Sequence, residues 1–223
     1  MNKLRAFTLA EMLVVMVIIA VLSMLSIPVL ITNTRDKEVS DLLKSTYKKI
    51  ETALIIDKIF SFNIEDLGYV SVDNNIRIDD FAKLLKEKLN VINSCPPNEQ
   101  CGFVSDTLNG YTLRLINGSS LLINNDNIGL RDNVDENNHI IGSLYIDIDG
   151  PKSVNRAGHD QFGFYVTNKG LIPMGGPKDE IMPFANCLKN PDFSCTAWIL
   201  VNGNEDYKKC PSVINWETNP TCK

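Results

Sequence analysis

Residues 7–31, FTLAEMLVVMVIIAVLSMLSIPVLI, form one apolar run whose only charge is Glu11. After that glutamate, residues 12–31 carry none. A bilayer core about 30 Å thick is crossed by roughly 20 helical residues, so the run has the length of a membrane span. Glu11 is the anomaly within it. Placing an ionised side chain inside a bilayer costs about 2.5–3.5 kcal/mol even on lenient insertion scales, and a simple anchor gives that carboxylate no role. Lys3 and Arg5 precede the run, which keeps the N-terminus cytoplasmic and places everything after Ile31 outside.

The order of these parts is specific: a short basic leader, then Phe7-Thr8-Leu9-Ala10-Glu11, then the apolar stretch. In this the chain resembles the N-terminus of the type IV pilin and pseudopilin family. The resemblance covers about the first 30 residues. It implies that a prepilin peptidase cuts between Ala6 and Phe7, that Phe7 is N-methylated, and that residues 1–6 are discarded. Glycine is usual before the cut; here the small residue is Ala6. Pro28 stands where many members carry a helix-kinking proline. The implied partners are other pilin subunits, the peptidase, an inner-membrane assembly platform and membrane lipid. The implied location is the inner membrane with the head outside, then an extracytoplasmic filament. In that filament Glu11 meets a cation, the N-terminal amine of Phe7 on an adjacent subunit.

Two other readings compete. A secretory signal peptide has an apolar core of about 7–15 residues before an A-x-A-like site; this run is longer, and Ser23 and Ser26 make a poor site. A plain single-pass anchor fits the length and leaves Glu11 and the FTLxE spacing unexplained. In that case the exported head would act alone, as a binding protein or enzyme.

The chain beyond the apolar run has the size of one domain with a buried core, giving three segments: leader 1–6, apolar half-helix 7–31 and head 32–223. The net charge is −5, and losing Lys3 and Arg5 makes it more negative still. That disfavours broad binding to nucleic acid. All six cysteines lie beyond the apolar run, and an even number in an exported domain reads as disulfides. Proximity suggests Cys95–Cys101, Cys187–Cys195 and Cys210–Cys222. No pair has the CxxC spacing zinc sites favour. A C-terminal disulfide loop is also common in pilins, so the last pair adds to the resemblance.

From Arg35 the apolar pattern becomes periodic. Val39, Leu42, Leu43, Tyr47, Ile50 and Leu54 recur at three- and four-residue steps, as on an amphipathic helix with one buried stripe. The pattern predicts a helix over 7–58, with a kink at Pro28 or the 32–34 Thr-Asn-Thr patch. A second helix is expected over 80–90, capped by Asp79 or Asp80, with Phe81, Leu84, Leu85 and Leu89 inward. Strands are expected over 111–116 and 120–123 around Asn117-Gly118, over 143–149 as a half-buried strand, and over 162–167 and 171–173 around 168–170. The fold class is α+β: a long N-terminal helix, half transmembrane and half packed on an antiparallel β-sheet head.

The stretch with most chemistry is Asp147-Ile148-Asp149-Gly150-Pro151, continuing to Asn155 and Asp160. Asp147 and Asp149 would share a strand face, with Asn155 and Asp160 returning nearby. That gives oxygen ligands of the kind calcium takes, although the bidentate Glu of a D-x-[DN]-x-[DN]-G loop is missing. Some pseudopilins bind calcium in a head loop. The alternative is a corner whose Asp and Asn side chains bond their own backbone. No other cofactor is indicated. His139 and His159 have no ligand-spaced partner, Asn117-Gly118-Ser119 reads as a turn, and Trp198 closes the core on a late strand or helix. G-x-S-x-G, P-loop, G-x-G-x-x-G and H-E-x-x-H motifs are absent. The reading is a structural subunit and not an enzyme. It leaves open whether the filament serves a pilus, type II secretion or DNA uptake.

The mature chain is expected to start at Phe7 and to be one methyl group heavier than the bare sequence. Intact-mass and N-terminal analysis of membrane-extracted protein checks this; Met1 retained in cells that contain a prepilin peptidase would contradict it.

Overall fold

The structure is a computed structural model that describes residues 8–59, 75–99, 101–103, 105, 108–124, 140–152, 154–167 and 170–222; the side chains of 25–34, 55–59, 75–80 and Ile141 are outside this description. The chain divides into two compact units, Met1–Glu38 and Val39–Lys223. Helix α1, Leu9–Ile59, is assigned without a break through Pro28 and residues 32–34, so the expected kink does not interrupt it.

In the first unit the described apolar side chains from Leu9 to Met24 lie open, Leu9 at 84% and Met24 at 81% exposure. Among the described residues no helix is long and apolar enough to cross a membrane. The described side chains of the run end at Met24, so the expected span of 7–31 continues outside them.

In the second unit α1 carries the predicted stripe. Leu43 and Ile50 are completely buried, Leu54 nearly so, and Val39 and Ala53 lie beside them, with Leu42 and Tyr47 packed at the edge. Helix α2 is Asn75–Lys88. It starts before the expected residue 80, so Asp79 and Asp80 lie inside the helix and are not its caps. Phe81, Leu85 and Leu89 are buried as expected, and Ala82 joins them.

Six strands come next in one antiparallel sheet, each paired with its neighbour in sequence. They are β1 Val91–Cys95, β2 Tyr111–Leu115, β3 Ser120–Asn124, β4 Ile140–Asp147, β5 Gln161–Thr167 and β6 Gly170–Pro173. The hairpin at Asn117-Gly118 is present: Asn117 Oδ1 accepts from Ser119 N at 3.2 Å and Ser119 Oγ at 2.7 Å, and Gly118 has φ 94°. The expected β5–β6 turn includes Asn168 and Lys169, outside the described residues. Strand β1 went unread because VINSC lacks alternation.

One sheet face, with Leu113, Leu121, Ile123, Leu144, Ile146, Phe162 and Phe164, packs with the α1 stripe and α2 in one core. Tyr47 stacks on Phe164 with centroids 5.4 Å apart. The opposite face carries a second core of Phe103, Leu122, Ile140, Tyr145, Tyr165 and Met174. Strand β4 is therefore buried on both faces, correcting the half-buried expectation. The cover comes from partners distant in sequence, including Ile181, Met182 and Phe193, with the Tyr145 and Phe193 rings 4.6 Å apart.

The C-terminal part is helical, with α3 Phe184–Lys189 and α4 Thr196–Asn202. Trp198 belongs to α4, is completely buried, and stacks on Phe184 at 4.7 Å with the Trp216 edge at 5.0 Å. Its Nε1 donates to Asn204 Oδ1 at 2.8 Å, which satisfies the indole inside the core. The three disulfides are the three local pairs: Cys95–Cys101, Cys187–Cys195 and Cys210–Cys222.

For a fragment of residues 35–223, no cysteine should react with an alkylating agent in denaturant until a reductant is added. Trp198→Ala should lower its unfolding free energy by about 3–5 kcal/mol, as for other buried aromatic truncations. Thiol counting and denaturant titration check both. Six reactive thiols in oxidised protein, or a Trp198→Ala cost below about 1 kcal/mol, would contradict the arrangement.

Candidate functional site

Glu11 stands in the first turn of α1, and its carboxylate has a partner in its own chain. Thr8 donates to Glu11 Oε2 twice, from its backbone N at 2.8 Å and from Oγ1 at 2.9 Å. In return Glu11 N donates to Thr8 Oγ1 at 3.2 Å, and Met12 N to Thr8 O at 3.2 Å. This is a capping box, the reciprocal Thr-x-x-Glu arrangement that satisfies backbone donors at a helix start. A negative charge there also complements the helix dipole. The view that a simple anchor has no use for Glu11 is thereby corrected: the residue starts the helix. The signal was legible, since [ST]-x-x-[DE] before an apolar run is the box's signature. Ala6 and Phe7 lie outside the described residues. Pro28 is placed only as backbone of α1, and its side chain is outside the description.

The 147–160 segment forms a hydrogen-bonded corner. Strand β4 ends at Asp147, so Asp149 does not share its strand face as expected. Asp147 is completely buried; its Oδ1 accepts from Gly150 N at 2.8 Å and its Oδ2 from Gln161 Nε2 at 3.4 Å. The first bond starts the turn, and Gly150 takes it with φ 64°. Asp160 is 6% exposed, and its Oδ1 accepts from Arg156 N at 2.6 Å. Asn155 is half-buried, as is His159; His139 lies outside the described residues. Burial pushes the Asp147 carboxyl up to about 8, against its two hydrogen bonds, and the charges of Asp149 and Asp160 push the same way. Burial also raises Asp160, opposed by its bond to the Arg156 amide.

Among the described residues no group of three or more His, Cys, Asp or Glu is placed to hold a metal ion. Asp147, Asp149 and Asp160 of the calcium expectation therefore form no such group. The two buried carboxylates direct oxygens at the chain's own donors, which is the corner reading.

A further buried carboxylate, Asp179, has no counterpart in the sequence reading. It accepts from Tyr165 Oη at 3.1 Å, Gly175 N at 2.8 Å, Ile181 N at 3.0 Å and Met182 N at 2.9 Å. It organises the segment that covers the second sheet face. The Gly-Gly-Pro-Lys-Asp run at 175–179 signals a turn but does not say where its carboxylate points. A cavity of about 570 Å³ lies elsewhere, among α1, the end of α2 and the β2–β3 turn.

Residues 1–27 match the profile of the prokaryotic N-terminal methylation motif, the signal of type IV pilins and pseudopilins. No curated protein and no solved structure matches the chain.

Asp147 makes stability pH-dependent. Its carboxyl titrates near 3.8 when unperturbed and at about 8 in the fold, so the folded chain holds this proton more tightly. The resulting stabilisation is complete below about pH 4 and is lost as pH rises through about 8. The melting temperature of fragment 35–223 should fall across that window, and Asp147→Asn, which mimics the protonated carboxyl, should flatten the fall. Parallel curves for the two proteins would contradict the assignment.

Proposed function

We propose that this chain, carrying that N-terminal signal, is a structural subunit of a type IV pilus or a related type II secretion or DNA-uptake filament. It is a pilin or pseudopilin and not an enzyme. The observation that carries the reading is the methylation motif over residues 1–27 with Glu11 in place. The open apolar side chains of α1 support it. Apolar surface gains about 25 cal/mol per Å² when removed from water, so a helix bare from Leu9 to Met24 needs a covering environment. Lipid supplies that cover before assembly, and the helices of other copies supply it afterwards. A prepilin peptidase removes residues 1–6, and an inner-membrane platform moves the subunit outwards.

Glu11 then has two successive partners. In the single chain it closes the capping box with Thr8. In the filament it meets the amine of Phe7 on an adjacent subunit. A buried pair of this kind fixes register more than it adds stability.

Three variants separate the two roles, read as membrane level against sheared filament level. Thr8→Ala removes the cap at a cost of about 0.5–2 kcal/mol and should leave assembly largely intact. Glu11→Gln keeps capping, since Gln serves in the box, but removes the charge. Stranding one member of a buried pair costs about 3–5 kcal/mol, so Glu11→Gln should reach the membrane and yield little filament. Glu11→Val should behave likewise. Normal filaments from Glu11→Gln would reduce Glu11 to a helix cap and remove the register role.

A further inference from the structure

Asparagine followed directly by glycine occurs three times in the chain, at Asn109-Gly110, Asn117-Gly118 and Asn202-Gly203. Glycine has no Cβ to crowd its own backbone nitrogen, so each pair can close on itself: the glycine nitrogen reaches the asparagine Cγ and expels ammonia. By sequence the three pairs are equivalent. The fold makes them different.

At Asn109 both ends of the amide are held by another asparagine. Its Oδ1 accepts from Asn98 N at 2.9 Å, and its Nδ2 donates to Asn98 Oδ1 at 2.8 Å. Gly110 is buried against β3, where a Cβ would stand 2.1 Å from Ile123 O, so its backbone has little room to turn. Asn202 ends α4 and is half-buried. A helical side chain leans towards the helix N-terminus, away from the nitrogen that follows, and Gly203 N donates to Ile199 O at 2.9 Å. Asn117 is exposed at the tip of the β2–β3 hairpin. Its Oδ1 accepts from Ser119 N at 3.2 Å and from Ser119 Oγ at 2.7 Å. Oδ1 is the atom that gains negative charge when Cγ is attacked, and donors already aimed at such an atom stabilise that charge. Gly118 N donates to Leu115 O at 3.0 Å across the turn. That bond has to open first, and a hairpin tip opens locally at lower cost than a core strand or helix.

We propose that Asn117 is a site of spontaneous deamidation in the folded head. Gly118 N forms a bond to Asn117 Cγ as the Cγ–Nδ2 bond breaks, and the proton of Gly118 N leaves with the amide nitrogen as ammonia. Solvent water then opens the succinimide ring and returns a proton to Gly118 N. Attack at Cγ gives aspartate, whereas attack at the backbone carbonyl carbon gives isoaspartate, with the chain running through Cγ. Either product carries a new negative charge. Either also removes the donor that reaches Thr46 Oγ1 on α1, 3.3 Å from Asn117 Nδ2, so the change falls on the contact between the hairpin and α1. The site is independent of the filament reading, since none of its residues belongs to the N-terminal motif.

Ageing the full chain in non-ionic detergent at mildly alkaline pH, in water enriched in heavy oxygen, tests the site. The three Asn-Gly peptides are followed by mass spectrometry after digestion at acidic pH. The same ageing in denaturant gives the rate of each pair without a fold, and there all three should convert alike. In the folded chain Asn117 should convert about tenfold faster than Asn109 and Asn202, a difference of about 1.4 kcal/mol in barrier, and should take up the heavy oxygen. Ser119→Ala should slow Asn117 about threefold, as for the loss of one hydrogen bond. The wild-type comparison stands even if that variant fails to fold. Conversion of Asn117 no faster than that of Asn109 and Asn202 in the folded chain would overturn the proposal, and faster conversion in Ser119→Ala would overturn the activating role of the hydroxyl.

Discussion

Leu43, Ile50 and Leu54 lie on one side of α1 with almost no exposure, and the inner sheet face closes over them. This contact organises the second unit. The strands present Leu121, Ile123, Leu144, Ile146, Phe162 and Phe164 to the same core, and α2 adds Phe81 and Leu85. A meander of adjacent antiparallel strands forms by local hairpins, yet its apolar face stays wet until a helix covers it. Because α1 supplies that cover, the head requires the helix, and the helix requires the head to bury Val39, Leu43, Ile50, Ala53 and Leu54. The residues from Leu9 to Met24 have no such cover, and that imbalance supports the functional proposal.

The start of α1 shows how a carboxylate survives next to an apolar run. A helix leaves its first backbone donors without intrahelical partners, and in an apolar environment each unsatisfied donor is costly. Thr8 and Glu11 exchange hydrogen bonds there. In the proposed filament the same carboxylate would meet a neighbour's cation once other helices surround the helix. Capping and the proposed register role would then be compatible uses of one side chain, separated by the state of assembly.

Short-range patterns in the chain were legible. The stripe on α1, the hairpin at Asn117-Gly118 and the three disulfides all join residues close in sequence or repeat at a fixed helical period. What escaped depends on distant partners. Tyr145 and Asp147 alternate with Leu144 and Ile146 as if facing solvent, but residues 181, 182 and 193 cover that side. The start of α2 was displaced because Asp79 and Asp80 are good capping types, and nothing local says that the helix already began at Asn75. The Asp147 corner has ligand-like composition, and only its geometry shows Oδ1 held by the Gly150 amide. The capping box is legible in the spacing of Thr8 and Glu11 itself.

The central claim is that the open side of α1 is covered by other copies of the same helix. Cells that contain the assembly machinery, with a photoreactive residue in place of Val17, test it most directly. Val17 is 55% exposed within the stretch. Illumination and then denaturing electrophoresis should give a ladder of covalent dimers and higher multimers, and the ladder should vanish when the prepilin peptidase is removed. A chain that stays monomeric or attaches only to lipid, with the peptidase present, would contradict assembly through this helix.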